Sequence, residues 1–256
     1  MSQGQGNSRF QDHFAVVAGG YARFRPSYPA ALFAWLASLA PSRQRAWDCA
    51  TGSGQSALAL ARHFQLVLAT DASAAQLAQA QPHPRVRYRQ ATAEQPGLEE
   101  RSIDLITVAQ ALHWFDREQF YREAARVLVQ GGILAAWTYG SASVDGGGID
   151  AVLTQFQDHV VGPHWPPERV LVDEAYRTIR LPFEAVPAPA FVMEACWSLE
   201  QLLGYFGSWS ATARYRASRG SDPLEQLRPA LAAIWGEAGC RRRLRWPLTV
   251  KVSKAP

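Results

Sequence analysis

The chain has 256 residues, of which 48% are hydrophobic and 19% charged, so it can fold as one large α/β domain or two small ones, and disorder is excluded as its main state. No apolar run reaches the ~18 residues of a membrane span, and the polar start is unlike a signal peptide, so we expect a cytoplasmic protein without a membrane partner. The formal net charge of +4 is only mildly basic.

Short apolar runs alternate with helical patterns through the first 140 residues. The predicted strands are Arg45–Cys49, Leu66–Thr70, Val86–Gln90, Ile103–Ala109 and Ile133–Thr138. The predicted helices are Pro29–Ala40, Gln55–Phe64, Ala74–Gln81 and Asp116–Leu128. This alternation predicts parallel strands with right-handed crossovers and helices on both faces of the sheet.

Two local signals bound the last of these helices. Asp116 with Gln119 three residues later fits a capping box, which satisfies free N–H groups at a helix start. Gly131-Gly132 is the expected stop after the helix.

The pattern changes after Tyr139. Residues 141–148 are small and polar and predict a loop, and residues 149–180 are mostly helical with proline and glycine interruptions. Further strands are predicted at Phe191–Cys196 and Leu244–Val252, with helices at Leu199–Tyr205 and Pro223–Gly236. We interpret 141–180 and about 198–235 as decoration over one sheet, and a helical subdomain folding over the site is the alternative.

The cysteines and a run of arginines have ordinary explanations. Cys49, Cys196 and Cys240 are far apart and odd in number, which predicts free thiols in the core of a protein in a reducing compartment, and no metal site. The run 241–245 holds four arginines, which are more typical of a solvent-exposed strand edge than of a phosphate-binding site. We therefore expect no nucleic-acid partner.

The strongest chemical signal is a strand–loop–helix at residues 47–55. Gly52 and Gly54 allow the backbone to approach a ligand closely, and the helix that opens at Gln55 presents free N–H groups there. In a doubly wound sheet, ligands bind outside the carboxyl ends of the strands near the switch point.

The same loop also matches the dinucleotide fingerprint, through Gly52, Gly54 and Ala57. Asp48 separates the two possibilities, because a carboxylate at the mouth of the loop would repel a pyrophosphate. It would suit S-adenosylmethionine, which carries an ammonium and a sulfonium and no phosphate. Asp48 therefore favours the methyl donor.

Other candidate ligand residues follow the later strands. Asp71, followed by Ala72, ends the second strand, where an acid accepts hydrogen bonds from ribose hydroxyls; a helix N-cap is the alternative, although Ser73 is better placed for it. Ala93-Glu94 forms a turn where an adenine edge would lie. Gln110 begins the segment after the fourth strand, in which His113 is either a base near the acceptor or a packed core histidine.

Taken together, these segments resemble the class I S-adenosylmethionine-dependent methyltransferases along nearly the whole chain. The first motif of that family, D-x-G-x-G-x-G, is matched by Asp48, Gly52 and Gly54, with Ala50 in place of the first glycine and Thr51 between them. The resemblance implies that Asp71 binds ribose, that Ala93-Glu94 meets the adenine edge, and that Gln76 packs against adenine. It also implies a seven-stranded sheet of order 3-2-1-4-5-7-6 with strand 7 antiparallel.

Four further segments resemble the trans-aconitate methyltransferase-like subgroup. They are residues 21–29 (YARFRPSYP), 111–116 (ALHWFD), 181–183 (LPF) and 209–215 (WSATARY). By this resemblance Tyr21, Arg25 and Tyr28 belong to an N-terminal lid over the donor, although such a cluster also begins an ordinary helix. The expected organisation is a single domain 1–256, with a lid and helix at 1–40, a cofactor half at 41–140 and substrate-side insertions at 141–256.

The sequence thus predicts methyl transfer from S-adenosylmethionine to a small molecule, at a carboxylate or hydroxyl oxygen, leaving S-adenosylhomocysteine. His113 is the candidate catalytic residue, and Arg214 or a lid arginine would hold an acidic acceptor. A nicotinamide-dependent oxidoreductase and a non-catalytic domain that binds the donor or its product are the alternatives. The oligomeric state is not indicated.

Overall fold

The computed structural model describes residues 25–237 and 239–256. Its strands are β1 (Arg45–Cys49), β2 (Leu66–Asp71), β3 (Val86–Gln90), β4 (Ile103–Ala109), β5 (Leu128–Thr138), β6 (Ser143–Val144), β7 (Glu184–Val186), β8 (Phe191–Trp197) and β9 (Arg242–Lys254). Its α-helices are α1 (Ala30–Leu39), α2 (Gln55–Leu60), α3 (Ala74–Leu77), α4 (Arg117–Val127), α5 (Ile149–Gln155), α6 (Arg169–Asp173), α7 (Leu199–Gly207), α8 (Ser210–Arg219) and α9 (Leu224–Trp235). None of the described helices is both long and apolar enough to cross a membrane.

The strands form one sheet of order β3-β2-β1-β4-β5-β9-β6, with β7 and β8 also paired to β9. Strands β1 to β5 are parallel and β9 is antiparallel to β5, which confirms the predicted α/β class. The sheet has nine strands rather than the expected seven. The difference comes from β9, which has 13 residues and is therefore long enough to pair with short strands along both of its edges.

The place expected for strand 6 is filled by two strands in succession. The end of β9 at residues 252–254 pairs with β7, and its first half at residues 242–248 pairs with β8. On the β5 side, residues 249–254 of β9 continue the main sheet. The order 3-2-1-4-5-7-6 is thus reproduced, with β9 as strand 7.

Helices cover both faces of the central strands, so β1 and β4 are buried almost throughout. Alternate residues of β1 enter opposite cores, because successive side chains of a strand point to opposite faces. Ala46 packs with Leu36 of α1 in one core, and Trp47 packs with Phe120 of α4 in the other. Packing on both faces holds the central strands in place, and with them the edge of the sheet at which these strands end.

A third core lies under the helices of the second half of the chain. Trp246 of β9, Leu202 of α7 and Leu231 of α9 are all buried within it. This packing places α7 and α8 beside the ends of the central strands.

The first residues of α4 were predicted correctly, but the signals assigned to its two ends were correct only in part. Asp116 caps the helix by accepting a hydrogen bond from the Gln119 N–H at 3.2 Å, but the predicted capping box is not formed, because the Asp116 N–H donates to Glu94 Oε1 and not to Gln119. The predicted stop at Gly131-Gly132 is wrong, because the helix ends at Val127 and β5 runs through both glycines. Glycine is needed there since a Cβ on Gly132 would lie 2.9 Å from the Val129 carbonyl oxygen.

Several helices differ from the sequence pattern. The helices expected at Gln55–Phe64 and Ala74–Gln81 end at Leu60 and Leu77, and residues 149–180 hold only the short helices α5 and α6 with π and 3₁₀ turns between them. Helix α8 was missed, because it is largely polar and buries only Ala211 and Thr212.

The cysteines are all free, but only Cys49 is buried; Cys196 is exposed and Cys240 half-buried. The prediction that all three lie in the core is therefore wrong for two of them. The arginine run ties β9 to its neighbours. Arg242 donates to the carbonyls of Ile234 and Trp235 at the end of α9, and Arg245 pairs with Glu194 of β8 at 3.1 Å.

Candidate active site

The loops after β1, β2, β4 and β5 all leave the same edge of the sheet, since these strands are parallel. The strand order reverses between β1 and β4, where Cys49 pairs in register with Val108. The glycine loop after β1 and Gln110 after β4 therefore begin side by side. This is the switch point at which doubly wound folds bind ligands.

The glycine loop has three residues in the left-handed region. Gly52 has φ 57°, Gly54 has φ 87° and Ala50 has φ 55°. Ala50, which replaces a family glycine, thus adopts a conformation that glycine takes at less cost. Gly54 begins α2, and a Cβ at this position would collide with the Tyr88 hydroxyl of β3.

Asp48 lies inside the protein and not at the mouth of the loop, which corrects the interpretation made from the sequence. It is fully buried, and its carboxylate accepts hydrogen bonds from Thr51 Oγ1 at 2.5 Å and Thr107 Oγ1 at 2.7 Å. Burial raises the pKa of Asp48 to about 6, against the lowering effect of these hydrogen bonds. Asp48 therefore braces the loop against β4.

Asp71 connects the ends of β1 and β2. Its carboxylate oxygens accept from the Gly52 N–H and the Ser73 N–H, each at 2.8 Å, and the residue is half-buried. The cap of α3 is Ser73, which accepts from the Gln76 N–H, so the helix-cap explanation of Asp71 does not hold. The carbonyl of Ala72 accepts a hydrogen bond from the Gln90 amide at 3.0 Å.

Two buried oxygens beside the glycine loop have no hydrogen-bond partner among residues 25–237 and 239–256. They are Gln76 Oε1 and the Tyr88 hydroxyl. Gln76 Oε1 lies 3.7 Å from the point where a Cβ on Gly52 would stand, so it faces the loop. A buried polar group without a partner costs ~1–3 kcal/mol. These two oxygens can accept hydrogen bonds from a ligand bound at the loop, so the site is suited to a polar ligand of nucleoside type.

The loops after β3 and β4 are tied together next to this place. Ala93 is buried, and Glu94 Oε1 accepts a hydrogen bond from the Asp116 N–H at 3.0 Å. The structure thus brings the predicted adenine-edge turn to the same end of the sheet as Asp71 and the glycine loop.

A small cleft with a cavity volume of about 80 Å³, open to solvent on one side, lies beyond the ends of β4 and β5. Its walls carry five tryptophan and tyrosine side chains and two arginines, and no carboxylate is among the described residues that line it. The residues that line it are Arg25, Gln110, His113, Trp114, Tyr139, Gly140, Trp165, Pro166, Arg169, Val172, Tyr205, Ser208, Trp209 and Ser210.

Of the predicted lid residues, Tyr21 lies outside the described part of the chain. Arg25 lines the cleft, donates to the Tyr139 hydroxyl at 3.2 Å and lies over the Tyr205 ring at 5.5 Å. Tyr28 packs edge-to-face on Trp137 of β5, with ring centroids 5.4 Å apart. The structure therefore places Arg25 in the cleft wall and Tyr28 against the sheet.

His113 lies in a 3₁₀ turn after β4 and lines the cleft. Its Nδ1 is 2.8 Å from the hydroxyl of Tyr176, and burial, together with the charge of Arg169, lowers the pKa of His113 to about 3. The imidazole is thus neutral at physiological pH. It is packed among aromatic rings and lines the cleft, and its role as a base near the acceptor stays a prediction.

Gln110 also faces the cleft, with a left-handed backbone at φ 55°. Its amide nitrogen donates to the Tyr139 carbonyl at 2.9 Å, and its amide oxygen accepts from the Thr138 hydroxyl. Gln110 therefore joins the end of β4 to the end of β5.

Sequence reasoning missed several cleft residues. Arg169 stacks on Trp165 at 4.3 Å and donates to Asp173 at 2.7 Å, and Tyr176 holds His113. Two tryptophans of the second half, Trp165 and Trp209, also line the cleft. Arg214, proposed to hold an acidic acceptor, is not among the lining residues.

Comparison with known proteins gives consistent results. Residues 47–136 match the family model of a methyltransferase domain. A methyltransferase of Dictyostelium discoideum is 32% identical over 227 residues, which is 88% of this chain and 86% of that protein. The solved structure of a type II methyltransferase from Anaeromyxobacter dehalogenans is 44% identical, with a TM-score of 0.84 over 91% of this chain and 99% of that one. An uncharacterized methyltransferase of Mycobacterium tuberculosis is 35% identical over 122 residues, 47% of this chain and 49% of that protein.

Proposed function

Because the chain belongs to the class I S-adenosylmethionine-dependent methyltransferases, we propose that it methylates an oxygen of a small molecule bound in the cleft. The observation that carries the choice of acceptor is the cleft itself. It opens beside the glycine loop at the switch point, and its lining combines five aromatic side chains with two arginines, as small-molecule sites combine apolar and polar groups.

S-adenosylmethionine is the methyl donor, and when bound it supplies an electrophilic methyl group on a sulfonium. We assign its binding to residues around the glycine loop. They are Ala50, Thr51, Gly52, Gly54, Asp71, Ala72, Gln76, Ala93, Glu94 and Gln110, with Asp48 acting indirectly through Thr51. Asp71 is the residue for the ribose hydroxyls, and its bond to the Gly52 N–H keeps the loop in place for them.

The cleft residues hold the acceptor. Trp165 and Trp209, whose rings are 5.3 Å apart, give an apolar wall on which a flat molecule can lie. Arg169 keeps two terminal nitrogens available beyond its Nε bond to Asp173, and these suit a carboxylate of the acceptor. Holding the nucleophilic oxygen in line with the methyl group and excluding water supplies ~7–11 kcal/mol of rate acceleration in favourable cases.

A small acceptor is favoured over a nucleic acid because three of the four arginines in the run are bonded within the fold, and only Arg243 is exposed without such a bond among the described residues. Arg242 is bound to backbone carbonyls and Arg245 to Glu194, so neither presents an open guanidinium for a phosphate. Because the chain belongs to the methyltransferase family, the alternative of a nicotinamide-dependent oxidoreductase is set aside. The trans-aconitate-like subgroup, the single domain with an N-terminal lid, and a cytoplasmic location stay predictions.

The test is calorimetric titration of the purified protein with S-adenosylhomocysteine, with NAD and NADP as parallel controls. We expect 1:1 binding of the first ligand in the micromolar range and no heat from the dinucleotides. A turnover screen of small carboxylic and hydroxy acids then tests the acceptor. Binding of NAD without binding of S-adenosylhomocysteine would overturn the donor assignment, and turnover only on nucleic acid would overturn the small acceptor.

A further inference from the structure

Arg169, the first residue of α6, has its guanidinium held in a fixed position in the wall of the cleft. Its Nε donates to Asp173 Oδ1 at 2.7 Å, one turn along the same helix. Its guanidinium carbon lies 4.3 Å from the centre of the Trp165 ring. The ring restrains the plane of the guanidinium, and the carboxylate restrains one of its edges. The side chain of Arg169 is only 19% exposed.

The far edge of this guanidinium, formed by its two terminal nitrogens, is available to a ligand. Neither terminal nitrogen of Arg169 donates a hydrogen bond within residues 25–237 and 239–256, and Arg169 lines the cleft. Two coplanar N–H groups match the two oxygens of a carboxylate, which is the geometry of a bidentate pair. The charge of Asp173 competes only weakly, because its side chain is 57% exposed and screened by water.

The charges around the cleft also favour an anion. Arg25 lines the cleft together with Arg169, and no carboxylate is among the described residues that line it. Burial, with the charge of Arg169, lowers the pKa of His113 to about 3, so the imidazole is neutral. The cleft therefore presents two guanidinium groups to whatever enters it.

We propose that Arg169 anchors a carboxylate of the acceptor that is not the group methylated, so that the acceptor is an acid with a second oxygen, from a hydroxyl or another carboxyl group, as the nucleophile. This inference rests on the proposed function and narrows its acceptor class. The product keeps the anchored carboxylate.

The anchored carboxylate is spared because of the change of charge during the reaction. Methylation neutralises a carboxylate, so its charge-assisted bonds to Arg169 would weaken on the way to the transition state. A site that binds the reacting group more strongly before the reaction than during it raises the barrier. A carboxylate that stays charged keeps its bonds throughout and holds the second oxygen in position.

The cleft offers a separate place for the second oxygen. Gln110 and His113 follow β4, the strand next to β1 and its glycine loop. Arg169 belongs instead to α6 and stacks on Trp165, whose ring is 5.3 Å from that of Trp209. An acceptor that lies on the tryptophans with its carboxylate on Arg169 presents its second oxygen on the side of Gln110 and His113.

The chemical step conserves atoms and electrons. The second oxygen forms a bond to the methyl carbon of S-adenosylmethionine while the carbon–sulfur bond breaks, and the sulfur keeps the electron pair of that bond. A carboxylate nucleophile carries no proton, and a hydroxyl loses its proton to water at the open side of the cleft. Arg169 binds the acceptor and exchanges no proton, so it determines specificity, and Asp173 and Trp165 are positioning residues.

The anchor is tested by calorimetry on the whole protein saturated with S-adenosylhomocysteine. The probes are 3-hydroxypropanoate and 4-hydroxybenzoate, each compared with its neutral amide. We expect each acid to bind at least about tenfold more tightly than its amide, and Arg169→Gln to abolish the difference. Arg169→Lys, which keeps the charge but loses the planar pair of donors, should retain only part of it. Arg122→Gln is the matched control, because Arg122 is an exposed arginine paired with Glu118 on α4.

The ratio of acid to amide affinity is measured within one folded protein, so a general loss of stability does not change it. Asp173→Ala should reduce this ratio about threefold, as expected for an exposed ion pair that positions Arg169. Equal affinity for acid and amide in the wild type, no binding of either, or an unchanged ratio in Arg169→Gln would overturn the anchor.

The methylated group is identified by turnover with S-adenosylmethionine and NMR of the products. The two hydroxy acids and succinate are compared with propanoate and benzoate, whose single carboxylate is their sole oxygen group. We expect methyl ethers from the hydroxy acids, a monoester from succinate and no product from the other two. In Arg169→Gln the KM of the hydroxy acids should rise about 100-fold with a smaller change in kcat, since the anchor binds ground state and transition state alike.

A methyl ester of propanoate, benzoate or either hydroxy acid would contradict the sparing of the anchored carboxylate. Absence of product from the hydroxy acids and succinate alike would overturn the acceptor class. A wild-type protein that does not bind S-adenosylhomocysteine would instead mark a failure of the proposed function.

Discussion

The donor edge, formed by residues 48–54 and 71–73, and the cleft lie side by side at one end of the sheet but are built in different ways. The donor edge is shaped by the backbone: left-handed residues, a carboxylate on the Gly52 N–H, and the short bond from Thr51 to Asp48. The cleft is shaped by large side chains that come from positions as distant as Arg25 and Trp209.

This difference decides how each region responds to substitution. At the donor edge, one added methyl group or one lost carboxylate acts on the backbone that the donor must approach. In the cleft, the walls belong to separate loops and helices, so a single change alters one wall. We therefore expect changes at the donor edge to affect donor affinity strongly and changes on the cleft side to leave it nearly unchanged.

The largest effect is expected for Gly54→Ala. The residue has φ 87°, and a Cβ would collide with the Tyr88 hydroxyl and lie 3.0 Å from the Tyr88 ring. The left-handed backbone alone costs ~1–2 kcal/mol for alanine, and the collision adds to it. Calorimetry should show no measurable binding of S-adenosylhomocysteine.

The control for this change is Gly147→Ala, where an added Cβ would meet nothing within 4 Å and the backbone is not left-handed. It should bind S-adenosylhomocysteine like the wild type. Retained binding in Gly54→Ala would mean that the loop does not approach the donor closely.

The next effect is expected for Asp71→Ala. The variant loses the acceptor for the Gly52 N–H as well as the proposed bonds to ribose, and hydrogen bonds to a charged group contribute ~1.5–3 kcal/mol each. Affinity for S-adenosylhomocysteine should fall more than 100-fold. Asp104→Asn is a matched control, because Asp104 also accepts from backbone N–H groups but at the opposite end of the sheet, near Arg45. It should lower the free energy of unfolding and leave affinity unchanged.

The donor edge could be predicted from the sequence because its residues are neighbours along the chain and their conformations are local. The glycine spacing and the place of Asp71 at the end of β2 follow from such patterns, whereas the strand order was implied by the resemblance to the methyltransferase family. The prediction that Asp48 lies at the mouth of the loop was wrong. The side chain is buried and bonded to Thr107 of β4, which is 59 residues away and is not indicated by any local pattern.

The cleft could be predicted only in part, because the sequence pointed to Arg25, Gln110 and His113 among the residues that line it. Its other members come together by tertiary packing: Tyr176 reaches His113 across 63 residues, and Arg169 lies on Trp165 at the start of a helix of five residues. Helix α8 was missed for a related reason, since its amphipathic pattern is weak. The count of strands differed because β9 is longer than its apolar run.

A third prediction concerns the buried carboxylate of the donor edge. The folded protein raises the pKa of Asp48 from 3.8 to about 6, so between these values the folded state binds more protons than the unfolded state. Stability must then fall as the pH rises through this window, by on the order of 3 kcal/mol for this group. Asp48→Asn should remove that fall while its amide still bonds to the threonine hydroxyls.

The measurement is the free energy of unfolding in urea at pH 4 and pH 7 for both proteins. Other carboxylates, such as Asp222, have lowered pKa values, so their contribution to the unfolding free energy grows as the pH rises. Only the difference between wild type and variant therefore reports the contribution of Asp48. An identical pH dependence of the unfolding free energy in the two proteins would contradict the raised pKa of Asp48.

The smallest effect is expected for Ser198→Ala on the cleft side. Ser198 and Gln201 form a reciprocal capping box at the start of α7, the helix that carries Tyr205 into the cleft wall, and loss of such a cap costs ~1 kcal/mol. Thermal unfolding should detect this loss, whereas Ser38→Ala, an exposed serine that donates only to the Trp35 carbonyl, should change stability less. Affinity for S-adenosylhomocysteine should stay within twofold, because the donor edge has its own contacts through Asp48 and Asp71. A tenfold loss of affinity would mean that α7 and the glycine loop move as one unit, and the separation between donor edge and cleft would then have to be abandoned.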